Sequence, residues 1–296
     1  MSSASDKISP TAHYTGYVWA RNGLSHPRLA TTEGRILFES LHPIMGVSRA
    51  LGGPSLETYL LARHLTIDAR LQRAIEEHGV TQVLEVAAGL SPRGWRFASR
   101  YGDRVTYVEA DLPAMAARKR RALESIGTLG EHHRVEDLDA LRESGAGSLA
   151  ALAGRLDTSR GLAIITEGLL GYLSRPDMEG LWRRFAATLA LFPAGRYISD
   201  LHLGSAQTAE VRAFRLVLSA FVRGRVYLHF DHAEQAASAL SAAGFASATV
   251  LPADVMQSGL RHGNPDEARP SGAPAAAQTP AGRRNPLAHI LEASTE

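Results

Sequence analysis

The sequence predicts an α/β fold built on a doubly wound, mostly parallel sheet, and three observations carry this prediction. Five short apolar segments that resemble strands alternate with helical patterns between residues 82 and 201. Turns with small or acidic residues follow the first four of these segments, as expected where parallel strands lead into helices. The chain has 296 residues, of which 45% are hydrophobic, so it can bury the core of one large domain.

The N-terminal region is expected to be helical. Short helices are predicted at 33–41 and 43–51, and a longer amphipathic helix at 55–77. The long helix is expected to be broken or bent near Ile67 and Asp68. We therefore expect residues 1–80 to form a helical cap on the domain that follows.

The central region, residues 81–258, is expected to form the sheet. The predicted strands, in chain order, occupy residues 82–86, 104–109, 133–135, 161–166 and 196–201. The intervening helices are predicted to begin at residue 93 and to occupy residues 113–125, 149–156 and 175–192. Since the strands alternate with helices, the crossovers should be right-handed and the strands parallel.

The C-terminal part of the chain changes character twice. Helices at 206–222 and 232–243 are predicted as inserted lid helices, and residues 245–251 as a last strand. Residues 259–296 are rich in Pro, Ala and Gly and read as a disordered, low-complexity tail, with one short helical turn or two at 286–293.

Composition excludes several functional classes. The chain has no cysteine, which rules out disulfides, thiolate metal sites and cysteine nucleophiles. Its 32 basic and 30 acidic residues are interspersed, so neither nucleic acid nor a membrane surface is an expected partner. Without a signal peptide or a long apolar run, a cytoplasmic enzyme with a small-molecule substrate is expected, and its oligomeric state is unknown.

No metal site is expected either. His229, Asp231 and His232 lie close together in the sequence and could join Asp200, but their spacing does not place a ligand pair on one helix face.

Ligands of open parallel sheets bind beyond the carboxyl ends of the strands, so residues there are the first candidates for a site. Glu85 and Gly89 follow the first strand: the glycine allows close approach of a ligand, and the acid could accept from an ammonium group. Glu109 and Asp111 end the second strand, where an acid can hold both hydroxyls of a ribose; either acid could instead cap the next helix.

Two further strand ends carry candidate residues. Asp137 and Leu138 follow the third strand, where an adenine ring would lie, although a surface aspartate in a turn is the simpler interpretation. Glu167 follows the fourth strand inside an apolar segment. A carboxylate in such surroundings needs a cation or hydrogen-bond donors, which a cofactor could supply.

Together these segments resemble the leucine carboxyl methyltransferase family, which includes bacterial polyketide O-methyltransferases. The resemblance rests on residues 85–90 (EVAAGL), 107–113 (YVEADLP), Lys119 and 166–173 (TEGLLGYL), in this order and spacing. It covers about residues 55–205 and implies a Rossmann-like class I methyltransferase fold with S-adenosyl-L-methionine as cofactor.

The resemblance also implies roles for individual residues. The positions that match contacts to the methionine part of the cofactor are Arg63, Gly89 and Glu167. The positions that match contacts to its ribose and adenine are Asp111, Asp137 and Leu138. Tyr172 matches a tyrosine that faces the substrate. The chain departs from the family pattern Gly-Ala-Gly-Leu-Asp-Thr-Arg, since it has Ala87 and Ser91 at the first glycine and the aspartate. These departures leave the acceptor undetermined and argue against methylation of a protein carboxyl terminus.

The expected reaction is methyl transfer to an oxygen of a small molecule. A carboxylate acceptor is already ionised at neutral pH and needs no base, whereas a hydroxyl acceptor does. His202, after the fifth strand, is the candidate base and Tyr172 an orienting donor. Aromatic residues of the cap and lid regions suggest an apolar acceptor: Tyr14, Tyr17, Trp19, Phe214, Phe221, Tyr227 and Phe230.

Three alternatives stay open at this point. Transfer could be to nitrogen or sulfur, or the protein could bind S-adenosylmethionine without catalysis. A nicotinamide oxidoreductase would share the fold, but Ala87 and Pro92 occupy two of its three glycine positions.

Overall fold

The computed structural model describes residues 10–50, 56–204, 227–253 and 285–296 and contains one seven-stranded sheet. Its strands are β1 Val80–Val86, β2 Thr106–Asp111, β3 His133–Asp137, β4 Gly161–Thr166, β5 Gly195–Leu201, β6 Ser247–Ala253 and β7 Asn285–Ser294. Their spatial order is β3-β2-β1-β4-β5-β7-β6. The first five strands are parallel, and β7 is antiparallel to both β5 and β6. This order confirms the predicted Rossmann-like methyltransferase fold.

Helices cover both faces of the sheet. They are α1 Pro10–Arg21, α2 Thr32–Ala50, α3 Leu56–Glu77, α4 Arg93–Tyr101, α5 Pro113–Glu124, α6 Leu149–Ala153, α7 Arg175–Leu189 and α8 Ala233–Ala243. Local signals fix several of their ends. Ser174 caps α7 by accepting from the backbone N–H of Asp177 at 3.3 Å. α8 ends at Gly244, whose φ of 109° suits glycine.

The core consists of two apolar layers, one on each face of the sheet. Trp182 and Phe185 of α7 belong to one layer, and Ile67 and Leu71 of α3 belong to the other. All four side chains are fully buried. Because both faces are covered, β1, β2, β4 and β5 are buried along nearly their whole length instead of alternating.

Several element predictions need correction. Residues 32–50 form one helix, not two. The predicted long helix is confirmed as α3, which continues without a break through Ile67 and Asp68; both side chains are buried, and Asp68 accepts hydrogen bonds from two arginines. α1 was not predicted at all.

The prediction of a helical turn near the C-terminus was wrong. Residues 286–293 form most of β7, not a helical turn, and this strand pairs along both edges with β5 and β6. The predicted last strand is confirmed as β6. The predicted helix at 206–222 and residues 259–284 lie outside the described residues, and the three domain boundaries stay predictions. No helix within the described ranges combines the length and hydropathy of a membrane span.

Candidate active site

A cavity of about 370 Å³ opens at the carboxyl ends of β1, β2, β4 and β5. The loops after these strands form its floor, and α1 and α3 form its other walls. Parallel strands place their carboxyl ends at one edge, so side chains far apart in the sequence converge there. This position makes the cavity the candidate active site.

The loop after β1 is held by the acid at the end of β2. The two carboxylate oxygens of Asp111 accept hydrogen bonds from the backbone N–H groups of Gly89 and Leu112, both at 2.7 Å. Burial raises the pKa of Asp111 above its ordinary value, against the effect of these two bonds. Each carboxylate oxygen can accept a second bond, so Asp111 can still hold a ligand hydroxyl pair.

Ala87 adopts a left-handed backbone conformation, with φ of 56°, at the position where the family pattern has glycine. Alanine is strained in this region, whereas glycine is not. We therefore expect Ala87→Gly to raise the free energy of unfolding by about 1 kcal/mol, measured by urea denaturation. Ala190, with φ of −64° at the end of α7, is the matched control, and its replacement by glycine should lower stability. A loss of stability in Ala87→Gly would contradict the strain.

Three charged side chains form one wall of the cavity. Arg63 on α3 donates from Nε to Glu167 at 3.0 Å and from Nη1 to Asp200 at 3.2 Å. Side-chain exposure is at most 8% for all three, although each contributes to the cavity wall. Against burial, His64 and the two arginines Arg93 and Arg63 hold the pKa of Glu167 well below its ordinary value. The wall therefore presents the Arg63 guanidinium between the carboxyl groups of Glu167 and Asp200.

Behind this wall, Arg93 joins the acids of three elements. Its guanidinium donates to Asp68 on α3, Glu85 on β1 and Glu167 after β4, each at 2.6 Å. The side chain of Arg93 is fully buried. Although burial opposes it, the surrounding acids raise the pKa of Arg93 well above its ordinary value. Arg93 thus fixes Glu167 from the side opposite to the cavity.

A tyrosine and a histidine meet beside the charged wall, where the Arg63 guanidinium carbon lies 5.5 Å from the Tyr59 ring centroid. The Tyr59 hydroxyl lies 2.5 Å from Nε2 of His202, and their ring centroids are 5.6 Å apart. Both residues line the cavity, Tyr59 from α3 and His202 from the end of β5. The bond places an imidazole beside the space where an acceptor could lie.

The mouth of the cavity is aromatic. Tyr172 is 40% exposed, and its hydroxyl donates to Thr11 of α1 at 3.2 Å. Tyr227 stacks on His229 with 13° between the ring planes. Burial lowers the pKa of His229, whose Nε2 donates to the Leu170 carbonyl at 3.0 Å. These rings give this part of the cavity an aromatic lining.

The structure brings six of the residues singled out in the sequence to one cavity: Arg63, Gly89, Asp111, Glu167, Tyr172 and His202. Of the predicted aromatic residues, Tyr14, Trp19 and Tyr227 also line it. Tyr17 and Phe230 do not, and Phe214 and Phe221 lie outside the described residues.

Two predicted cofactor contacts need correction. Glu85 does not line the cavity, because its carboxylate accepts from Arg93 and, at 2.8 Å, from the Tyr107 hydroxyl. Glu109 is also turned inward. It forms an ion pair with Lys119 and accepts from His133 Nε2 at 2.8 Å. Both acids therefore balance buried cations instead of contacting a ligand, which leaves Asp111 as the acid at the end of β2.

Asp137 and Leu138 lie at the end of β3, outside the cavity wall described above. Asp137 pairs with Asp111 in the register of β2 and β3, and its half-exposed carboxylate lies 3.3 Å from Arg120. Leu138 is buried in the apolar layer beneath the sheet edge. Their assignment to an adenine ring stays a prediction.

Sequence reasoning missed three residues of the site. Tyr59 gave no signal, because nothing local distinguishes it from a core tyrosine of α3. Asp200 was considered only as a metal ligand. Arg93 is the last residue of the family pattern around Gly89, and its retention beside Ala87 and Ser91 was the signal that could have found it.

Comparison with known families gives one sequence match. The sequence model for leucine carboxyl methyltransferase matches residues 32–186, just over half of the chain. The matched region contains β1 to β4 and, from the cavity, Arg63, Asp111 and Glu167. A comparison with curated proteins finds no significant match.

Comparison with solved structures supports the fold. A DUF574 family protein from Streptomyces avermitilis aligns with a TM-score of 0.61 and 13% identity over 99% of both chains. A Thermobifida fusca protein described as a methyltransferase aligns with a TM-score of 0.60 and 14% identity over 96% of this chain and 97% of that chain.

A third structure, PigF with S-adenosylhomocysteine, aligns with a TM-score of 0.51 and 15% identity over 80% of this chain. The alignment spans only 57% of PigF, and 59% of the methyltransferase SibL in another comparison. At these identities the likeness concerns the fold alone.

Proposed function

The chain belongs to the leucine carboxyl methyltransferase family, and we propose that it transfers the methyl group of S-adenosyl-L-methionine to an oxygen of a small molecule. The observation that carries the proposal is the convergence of Arg63, Asp111 and Glu167 on one cavity at the carboxyl edge of the sheet. This cavity combines a charged wall, a ribose-type acid and an aromatic mouth.

The charged wall suits the amino-acid end of the cofactor. Arg63 donates to Glu167 and Asp200, and its guanidinium has five N–H groups, so others can bind the carboxylate of the methionine part. The two acids can accept from the ammonium group. Asp111 lies beside Gly89 and can accept from the two ribose hydroxyls.

The aromatic end suits the acceptor. Methyl transfer is an in-line displacement at a sulfonium, so the enzyme mainly has to align acceptor, methyl and sulfur and to exclude water. Tyr172 and Tyr227 lie at the cavity mouth, where they would cover an apolar acceptor. His202 lies deeper and is the candidate base for an acceptor that arrives with its proton.

Calorimetric titration tests the cofactor assignment. S-adenosylhomocysteine should bind to the protein, and NAD should not, because Ala87 and Pro92 occupy glycine positions of a dinucleotide loop. Binding of NAD without S-adenosylhomocysteine would refute the proposal. Screening small hydroxyl compounds and organic acids with methyl-labelled S-adenosylmethionine would then find the acceptor.

Replacing the base should separate catalysis from binding. With a hydroxyl acceptor found in this screen, His202→Asn should lower kcat about 100-fold or more, the usual contribution of a general base. Its affinity for S-adenosylhomocysteine should be unchanged. His78→Asn, at the end of the sheet away from the cavity, is the control. An unaltered kcat in His202→Asn would remove the histidine from the mechanism.

A further inference from the structure

The pairing of Tyr59 with His202 carries an inference that rests on the proposed function and narrows its acceptor. We propose that Tyr59 and His202 form a proton relay for an acceptor that arrives as an un-ionised hydroxyl group. In this relay Tyr59 is a catalytic residue, and hydroxyl compounds are preferred to carboxylates as acceptors.

The geometry joins two elements that the sequence separates by 143 positions. Tyr59 comes from the first turn of α3, and His202 directly follows β5. The Tyr59 hydroxyl lies within hydrogen-bond distance of Nε2 of His202, and both side chains line the cavity next to Arg63. A proton can pass between them without movement of either element.

The surroundings set the direction of the hydrogen bond. Burial raises the pKa of Tyr59 well above its ordinary value, so the hydroxyl keeps its proton at neutral pH. Arg63 acts on the same hydroxyl, with its guanidinium carbon 5.5 Å from the ring centroid. A guanidinium can only donate, so the Tyr59 oxygen accepts from that side and its proton is directed to Nε2 of His202.

The relay balances the transfer reaction. The acceptor proton passes to the Tyr59 oxygen while the Tyr59 proton passes to Nε2 of His202. The acceptor oxygen takes the methyl group, and the electron pair of the broken carbon–sulfur bond stays on sulfur. Positive charge leaves the sulfonium and appears on the imidazolium, which afterwards returns its proton to water.

The substrate class follows from the need for a relay. A carboxylate, with a reference pKa of about 4, arrives ionised and has no proton to give. A hydroxyl keeps its proton at neutral pH and becomes a useful nucleophile only as the proton leaves. The pair therefore serves hydroxyl acceptors, even though the family takes its name from carboxyl methylation.

The tautomer of His202 tests the inference without an acceptor. The protein is labelled with ¹⁵N-histidine, bound to S-adenosylhomocysteine and studied by long-range ¹H–¹⁵N NMR at about pH 8, above the ordinary histidine pKa. Loss of one signal set in His202→Asn assigns His202 among the 12 histidines. We expect Nε2 to be unprotonated and its shift to change in Tyr59→Phe. A protonated Nε2 would overturn the relay.

Steady-state kinetics provide a second test of the relay. With a hydroxyl acceptor, Tyr59→Phe should lower kcat about 100-fold, and Tyr59→Phe/His202→Asn should be little worse than either single variant, because both break one unit. Tyr101→Phe removes a hydroxyl outside the cavity, bonded to Glu76, and should keep full activity. Full activity of Tyr59→Phe, or preference for a matched carboxylate acceptor, would overturn the inference. Absence of S-adenosylhomocysteine binding would instead refute the proposed function.

Discussion

Replacing Arg93 with alanine is expected to lower the free energy of unfolding by about 3–5 kcal/mol, the usual cost of breaking a buried ion pair from one side. Arg93 is fully buried and donates to Asp68, Glu85 and Glu167. Asp68 would keep Arg96 and Glu167 would keep Arg63, but Glu85 would be left with only the Tyr107 hydroxyl among these contacts. The free energy of unfolding of a typical domain is only about 5–15 kcal/mol, so the variant should lose much of its stability.

Urea denaturation followed by circular dichroism measures the effect. Arg100→Ala is the matched control on the same helix: its pair with Glu76 is 45% exposed on both sides, and the cost should be about 0–1 kcal/mol. Adding Glu85→Gln to the Arg93 variant should recover part of the loss, because it removes the unpaired buried charge. A loss below about 1 kcal/mol for Arg93→Ala would show that water reaches the buried acids.

The sheet was predictable because its signal is local. Segments such as Gly161–Thr166 are apolar throughout, as parallel strands buried on both faces must be, and turns separate them from helices. β7 was not predictable in this way. Its residues alanine, leucine, histidine and glutamate favour no strand, and the strand exists because β5 and β6 pair with both of its edges. Such pairing is a tertiary effect that no local pattern records.

The same difference between local signals and tertiary contacts separates the site residues that were predicted from those that were not. Asp111 and Glu167 were predicted because strand-end position and the family pattern both indicate them, whereas Arg63 of α3 was predicted from the family pattern alone. Glu85 shared the strand-end position but points to Arg93, and the sequence does not say which way a side chain at a strand end turns. Tyr59 was missed because its role depends on a contact with a residue 143 positions away. Resemblance and strand-end position supplied the cofactor residues as well as Tyr172 and His202, and the structure added Tyr59 beside His202.

Replacing Asp111 with alanine is expected to weaken binding of S-adenosylhomocysteine at least about 100-fold. Two hydroxyl donors to one carboxylate are worth roughly 3–6 kcal/mol, since hydrogen bonds to charged groups contribute about 1.5–3 kcal/mol each. The same carboxylate holds the N–H groups of Gly89 and Leu112, so the variant also loosens the loop that contacts the cofactor. Asp111→Asn, which keeps one acceptor oxygen, should show an intermediate loss.

Calorimetry measures both variants, and thermal unfolding checks that each one folds. Asp103→Ala, exposed before β2 at the opposite end of the sheet, should bind like the wild type. Because burial raises the pKa of Asp111, its ionised form is lost as pH falls through a value above the ordinary one of about 3.9. Wild-type affinity should therefore decline at mildly acidic pH, and Asp111→Ala should lack this decline. Equal affinity of wild type and Asp111→Ala would place the ribose elsewhere and leave the carboxylate with a purely structural role in the loop.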